Sequence, residues 1–110
     1  MLVNGSVVHG KGEGRRLGYP TANIELTEKI PSGVYSGLVE FDRKTYFGAI
    51  FIHNEQKILE AHLLNFDGDL YGKTLNVQIK QKIRENIPYQ DDVQMRIQIK
   101  SDIDRVKSAS

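Results

Sequence analysis

The sequence predicts a mainly β fold, a small closed antiparallel barrel finished by a C-terminal α-helix. Three observations carry that expectation. Six or so short segments show the alternating, β-branched and aromatic pattern of strands, and hairpin-sized connections separate them. In addition, 110 residues leave little material for two broad sheets, which favours a barrel over a sandwich.

Taken in order, residues 2–9 form a short β candidate, and residues 10–20 form a loop in which four glycines argue against regular helix. A Pro31-Ser32-Gly33 turn opens an alternating strand over 33–41. Asp42, Arg43 and Lys44 make a tight reversal, and β character resumes over 45–52. Residues 53–56 read as the next turn, 57–66 as a strand, 67–72 as a loop with two carboxylates, and 74–80 as a further strand. Asp91 or Asp92 is placed to cap a final helix. Val93, Ile97, Ile99 and Ile103, with Met95 or Val106, would form its broad apolar face, and the tail after Lys107 would fray. Residues 1–110 read as one domain without repeats or linkers.

Composition narrows the function. An apolar fraction of 39% with only three prolines belongs to globular chains, not disordered ones. No cysteine is present, which removes disulfides and thiolate zinc sites and suits a reducing compartment. No signal-like or bilayer-length apolar run occurs, so a cytoplasmic protein without membrane partners is expected. A net charge of +1 offers no general attraction for nucleic acid. A monomer is the default expectation.

Chemistry concentrates in the loops. Gly10, Gly12 and Gly14 expose backbone N–H groups beside Arg15 and Arg16, in an order that matches neither the dinucleotide fingerprint nor a Walker A loop. They read either as a structural turn or as a cradle for phosphates. Thr21 and Asn23 carry hard oxygens that suit Mg²⁺ beside phosphates, or else satisfy a turn or helix start. If residues 59–64 are a strand, Glu60, His62 and Leu64 share one face and Leu59, Ala61 and Leu63 the other. Glu60 is then either a solvated carboxylate or a general base for an alcohol. His62 reads as a satisfied structural or surface histidine, and His9 and His53 lack metal-ligand spacing. Asp67 and Asp69 suit an ordinary polar turn, and Arg84 with Glu85 a surface ion pair or a ligand-enclosing edge.

Together, GKGEGRRLGYPTAN at 10–23, PSGVYSG at 31–37, EAHLLNFDGDLYG at 60–72 and KIRENIPYQDDVQMRIQIKSDI at 82–103 resemble the riboflavin kinase family. The closest resemblance is to the kinase domain that ends bacterial bifunctional flavin-cofactor enzymes, and it covers nearly the whole chain. It implies a six-stranded Greek-key closed barrel with a C-terminal helix. It also implies transfer of the γ-phosphoryl group of ATP, with Mg²⁺, to the ribityl 5′-hydroxyl of riboflavin, giving FMN and ADP. By the same resemblance Gly10, Gly12, Gly14, Arg15 and Arg16 would meet ATP phosphates, and Thr21 and Asn23 would organise Mg²⁺. Glu60 would be the catalytic base, and Arg84 would lie in the loop that closes near flavin. Relatives usually carry arginine at Glu13, and the stretch 49–56 departs from their pattern and is shortened before Glu60. Those two departures motivate an alternative, a catalytically silent flavin- or nucleotide-binding module, with an interaction barrel as a third reading. No adenylyltransferase segment precedes residue 1, so FAD synthesis by this chain alone is not expected.

Overall fold

A computed structural model of the chain describes residues 1–109. Its strands are β1 (Leu2–Val8), β2 (Ala22–Glu25), β3 (Gly33–Phe41), β4 (Lys44–His53), β5 (Ile58–Leu63) and β6 (Thr74–Arg84). A single helical turn, α1 (Glu13–Arg16), interrupts the first loop, and α2 (Asp92–Ala109) ends the chain. The strands close a barrel in the order β1-β2-β5-β4-β3-β6, with every pair antiparallel. Strands β3, β4 and β5 follow one another as hairpins and β6 returns beside β3, which is the Greek-key arrangement.

Alternation decides what the barrel encloses. Ile24, Val39, Ile50, Ile52, Leu59, Leu75 and Val77 point inward and are buried. Asp42 and Arg43, both with positive φ (52° and 63°), reverse the chain between β3 and β4 in the tight hairpin that the sequence suggested. A second apolar cluster lies outside the barrel, where Leu17, Ala49 and Leu64 meet Ile99, Ile103 and Val106 of α2.

Four expectations are corrected. The glycine loop does contain a helical turn, because Gly12 takes the left-handed conformation (φ 73°) just before it and leaves Glu13–Arg16 free to coil. The turn or helix start offered as one reading of Thr21 and Asn23 gives way to a strand, since residues 22–25 form β2, whose four residues are too few to show a period. On α2, Ile99, Ile103 and Val106 are buried at i, i+4 and i+7, whereas Val93 and Ile97 fall on the exposed side. The helix also continues through Ala109 without fraying after Lys107, and Ser110 lies outside the described residues. Asp91 is the residue that caps α2, accepting the Gln94 amide at 2.8 Å.

Candidate active site

Register across β5 assembles the polar cluster. Asn23 faces Glu60, and Ala22 faces Ala61. Since Ala22 and Ala61 are buried inside the barrel, alternation turns Thr21, Asn23, Glu60 and His62 to its outer surface. The two-faced strand expected at 59–64 is present, with Leu59, Ala61 and Leu63 inward, although Leu64 leaves the strand and joins the cluster under α2. Thr21 Oγ1 donates to Glu60 Oε1 at 3.0 Å. From the other side His53 Nε2 lies 2.8 Å from Glu60 Oε2.

Burial pushes the Glu60 carboxyl up, but the His53 hydrogen bond, the His53 charge and the Thr21 hydroxyl outweigh it. The net direction is below the ordinary glutamate value. Glu60 is therefore ionised at neutral pH, as a proton acceptor must be.

Two cavities flank this cluster and share His9, Gly10, Thr21 and Asn23 as a common wall. The smaller, about 270 Å³, is lined by Gly12, Arg15, His62, Asp67 and Asp69 among others. At its rim the His9 and Tyr71 rings stack with centroids 3.7 Å apart. The larger, about 730 Å³, contains Glu60 and His53 and is closed by Phe51, Ile87, Tyr89 and Met95. The smaller, mixed recess thus abuts a mainly apolar one able to hold a planar ring, and Glu60 lines the larger one beside their common wall. Gly10 sets how closely they approach, since a Cβ there would stand 2.3 Å from Asn23 Nδ2.

The expected site residues are not all brought together. Arg15 reaches the smaller cavity, but Arg16 turns away to Asp92 (2.5 Å) and Glu13 (2.9 Å) and lines neither. Glu13 shares the Arg16 cation with Asp92, and it lines the larger cavity, not the smaller one. Arg84 ends β6 instead of lying in a free loop; it borders the larger cavity while pairing with Asp102. The ion pair proposed between Arg84 and Glu85 is absent: Glu85 pairs with Lys82, and Arg84 reaches Glu85 only at its backbone carbonyl. His62 donates through Nδ1 to the Pro20 carbonyl at 2.8 Å and meets Tyr19 edge-on, a satisfied histidine as expected. Asp69 accepts the Tyr71 amide at 2.9 Å in a polar turn.

His53 is the site residue that sequence reasoning missed. It had been assigned to a turn, but β4 runs through it. Counting back from Glu60 through a minimal hairpin would have placed positions 51 and 53 on the Glu60 face of the neighbouring strand.

The donor set fits Mg²⁺ in one particular way. Among the described residues no group of three or more His, Cys, Asp or Glu could hold a metal. Thr21 and Asn23 instead offer neutral hard oxygens, and Thr21, whose hydroxyl donates its hydrogen bond to Glu60, keeps lone pairs for a cation. Two such ligands suit an ion whose remaining positions are taken by phosphate and water.

Comparison with known proteins bears on the family and the fold. The family model for flavokinase, described as riboflavin kinase, matches residues 1–110. The bifunctional riboflavin kinase/FMN adenylyltransferase of Buchnera aphidicola subsp. Schizaphis graminum is 36% identical over 96% of this chain and 37% of its own length. The chain thus spans little more than a third of that relative. Among solved structures, riboflavin kinase from Trypanosoma brucei superposes with a TM-score of 0.71 at 25% identity, covering 98% of this chain and 78% of that one. A Streptococcus pneumoniae chain described as a macrolide-efflux protein gives a TM-score of 0.86 at 30% identity, over 96% of this chain and 38% of its own. No helix among the described residues is long and apolar enough to cross a membrane.

Proposed function

The chain belongs to the riboflavin kinase family, and from that premise we propose that it transfers the γ-phosphoryl group of ATP to the 5′-hydroxyl of riboflavin, forming FMN and ADP. The observation that carries the reading is the shared wall. Thr21 and Asn23 stand between the smaller, mixed cavity and the larger, mainly apolar one, and Thr21 is bonded to the ionised Glu60.

The triphosphate occupies the smaller cavity, whose wall includes Gly10, Gly12 and Arg15, while Gly14 lies on the larger one. The isoalloxazine ring occupies the larger one against Phe51, Ile87 and Tyr89, with Arg84 at its border. An alcohol is a poor nucleophile, so Glu60 takes the hydroxyl proton as the bond to phosphorus develops, which is worth roughly 10²–10⁴-fold in rate. Mg²⁺, held by Thr21 and Asn23, would supply positive charge against the phosphate oxygens. Arg16 serves at one remove, bonding both Glu13 and Asp92 and so tying the glycine loop to the start of α2.

The Glu13 observation behind a silent binding module loses force, because that carboxylate lines the larger cavity and not the one assigned to the phosphates. Residues 1–110 act as one kinase domain in this reading. It works as a monomer in the ATP-containing cytoplasm without nucleic-acid partners, in keeping with a net charge of +1 and no cysteine. Product-resolved turnover with riboflavin, a panel of nucleoside triphosphates and Mg²⁺ tests the assignment. FMN and ADP should appear in equal amounts, and a folded protein that makes no FMN under any of these conditions would refute it.

A further inference from the structure

The end of β4 carries a histidine to which the chemistry above gives no part. His53 Nε2 lies 2.8 Å from Glu60 Oε2, and Thr21 Oγ1 donates to Oε1 at 3.0 Å. Both carboxylate oxygens thus hold a donor, one from the β4 side of β5 and one from the β2 side. A glutamate side chain has several rotatable bonds, and a single hydrogen bond leaves the carboxylate free to swing about it. Two bonds from opposite sides fix its plane.

The ring itself sits on a firm support. Phe51 faces Glu60 and His53 faces Ile58, so the imidazole meets the carboxylate on the diagonal of the same outer face. The chain then turns at once through Asn54–Gln56, with Lys57 in the left-handed region at φ 55°. Ser32 Oγ accepts the Asn54 amide at 3.0 Å, and Asn86 Nδ2 donates to the Ile52 carbonyl at 3.0 Å. His53 therefore rides on a strand end held from two sides.

We propose that His53 is a positioning residue for phosphoryl transfer: it holds the Glu60 carboxylate in the orientation that receives the proton of the acceptor hydroxyl. It acts through Glu60 and takes no proton from substrate. The inference rests on the phosphotransfer reading of the site.

The test compares FMN formation and riboflavin binding for wild type, His53→Ala, His53→Gln, Glu60→Gln and the His53→Ala/Glu60→Gln double variant. His53→Ala should lower kcat about 10- to 100-fold, the scale of a slightly misplaced catalytic group, with KM for riboflavin nearly unchanged. His53→Gln, whose amide nitrogen can donate from a similar position, should recover most of the loss. In the Glu60→Gln background His53→Ala should cost nothing more, because the two residues act as one unit. A normal kcat in His53→Ala, a loss confined to KM, an additive double variant or no rescue by glutamine would each overturn the proposal. If wild type itself makes no FMN, the phosphotransfer reading falls and the catalytic role of His53 falls with it. The ring ¹⁵N resonances of His53 then report on the contact alone, which is wrong if Glu60→Gln leaves them unmoved.

Discussion

Arg84 and Asp102 form a two-pronged ion pair in which Nε donates to Oδ1 and Nη2 to Oδ2, each at 2.8 Å. The Asp102 side chain is fully buried, and Gln98 Nε2 adds a third bond to Oδ1 at 3.1 Å. The pair ties the end of β6 to the middle of α2, so it fixes the helix that walls the larger cavity.

A buried pair is worth little against a well-packed apolar one, but losing one member strands the other in a low-dielectric site. Arg84→Met should therefore lower unfolding stability by about 3–5 kcal/mol, and Arg84→Met combined with Asp102→Leu should restore much of that loss. Denaturant unfolding measures both. Equal stabilities for wild type and Arg84→Met would mean that water or a shifted side chain has replaced the arginine.

Glu60→Gln keeps the size and the hydrogen-bonding shape of the side chain but cannot accept a proton from the acceptor alcohol. Turnover should fall by roughly 10²–10⁴-fold while riboflavin still binds. Single-turnover assays with fluorescence titration separate the two effects. A variant that binds and phosphorylates riboflavin normally would remove Glu60 from the chemistry.

What the sequence disclosed and what it hid follow from the range of the interactions. Strand β3 and the reversal at Asp42 and Arg43 were legible because alternation and turn preference act over a few residues. Thr21, Asn23 and Glu60 were legible as candidates but not as neighbours. Thr21 and Glu60 lie 39 positions apart, and only the β2–β5 register joins them. His53 was hidden for the same reason, its role being set by the partner strand and not by its own surroundings. Val93 and Ile97 misled in the opposite direction: they are apolar, yet a helix buries only the face that meets the barrel.

Stability in acid should carry the signature of Glu60. Its folded carboxyl lies below the ordinary value: burial works against this, and the His53 and Thr21 interactions prevail. The native state thus holds fewer protons at this site than the unfolded chain. The contribution is present in full above the unfolded carboxylate range and is lost as pH falls through the folded value. Unfolding midpoints of wild type and Glu60→Gln, followed from neutral pH into acid, should show wild type losing stability relative to the variant over that window. Parallel curves would mean that Glu60 gains nothing from its partners.

Two glycines of the first loop should respond differently to the same substitution. At Gly10 an added Cβ meets the amide end of Asn23 at 2.3 Å, and that side chain can rotate away. Gly10→Ala should leave stability close to wild type, within about 1 kcal/mol, while raising the Mg²⁺ and ATP concentrations needed for half-maximal rate, because Asn23 is displaced. At Gly14 the Cβ would stand 2.4 Å from the Tyr19 carbonyl oxygen, and the Tyr19 amide bonds the Gly14 carbonyl at 2.7 Å. Backbone cannot rotate away as a side chain does. Gly14→Ala should therefore distort the turn, costing about 1–3 kcal/mol in unfolding stability as well as activity. Thermal unfolding beside ATP and Mg²⁺ titrations distinguishes them, and matching losses of stability in both variants would contradict the assigned contact between Gly10 and Asn23.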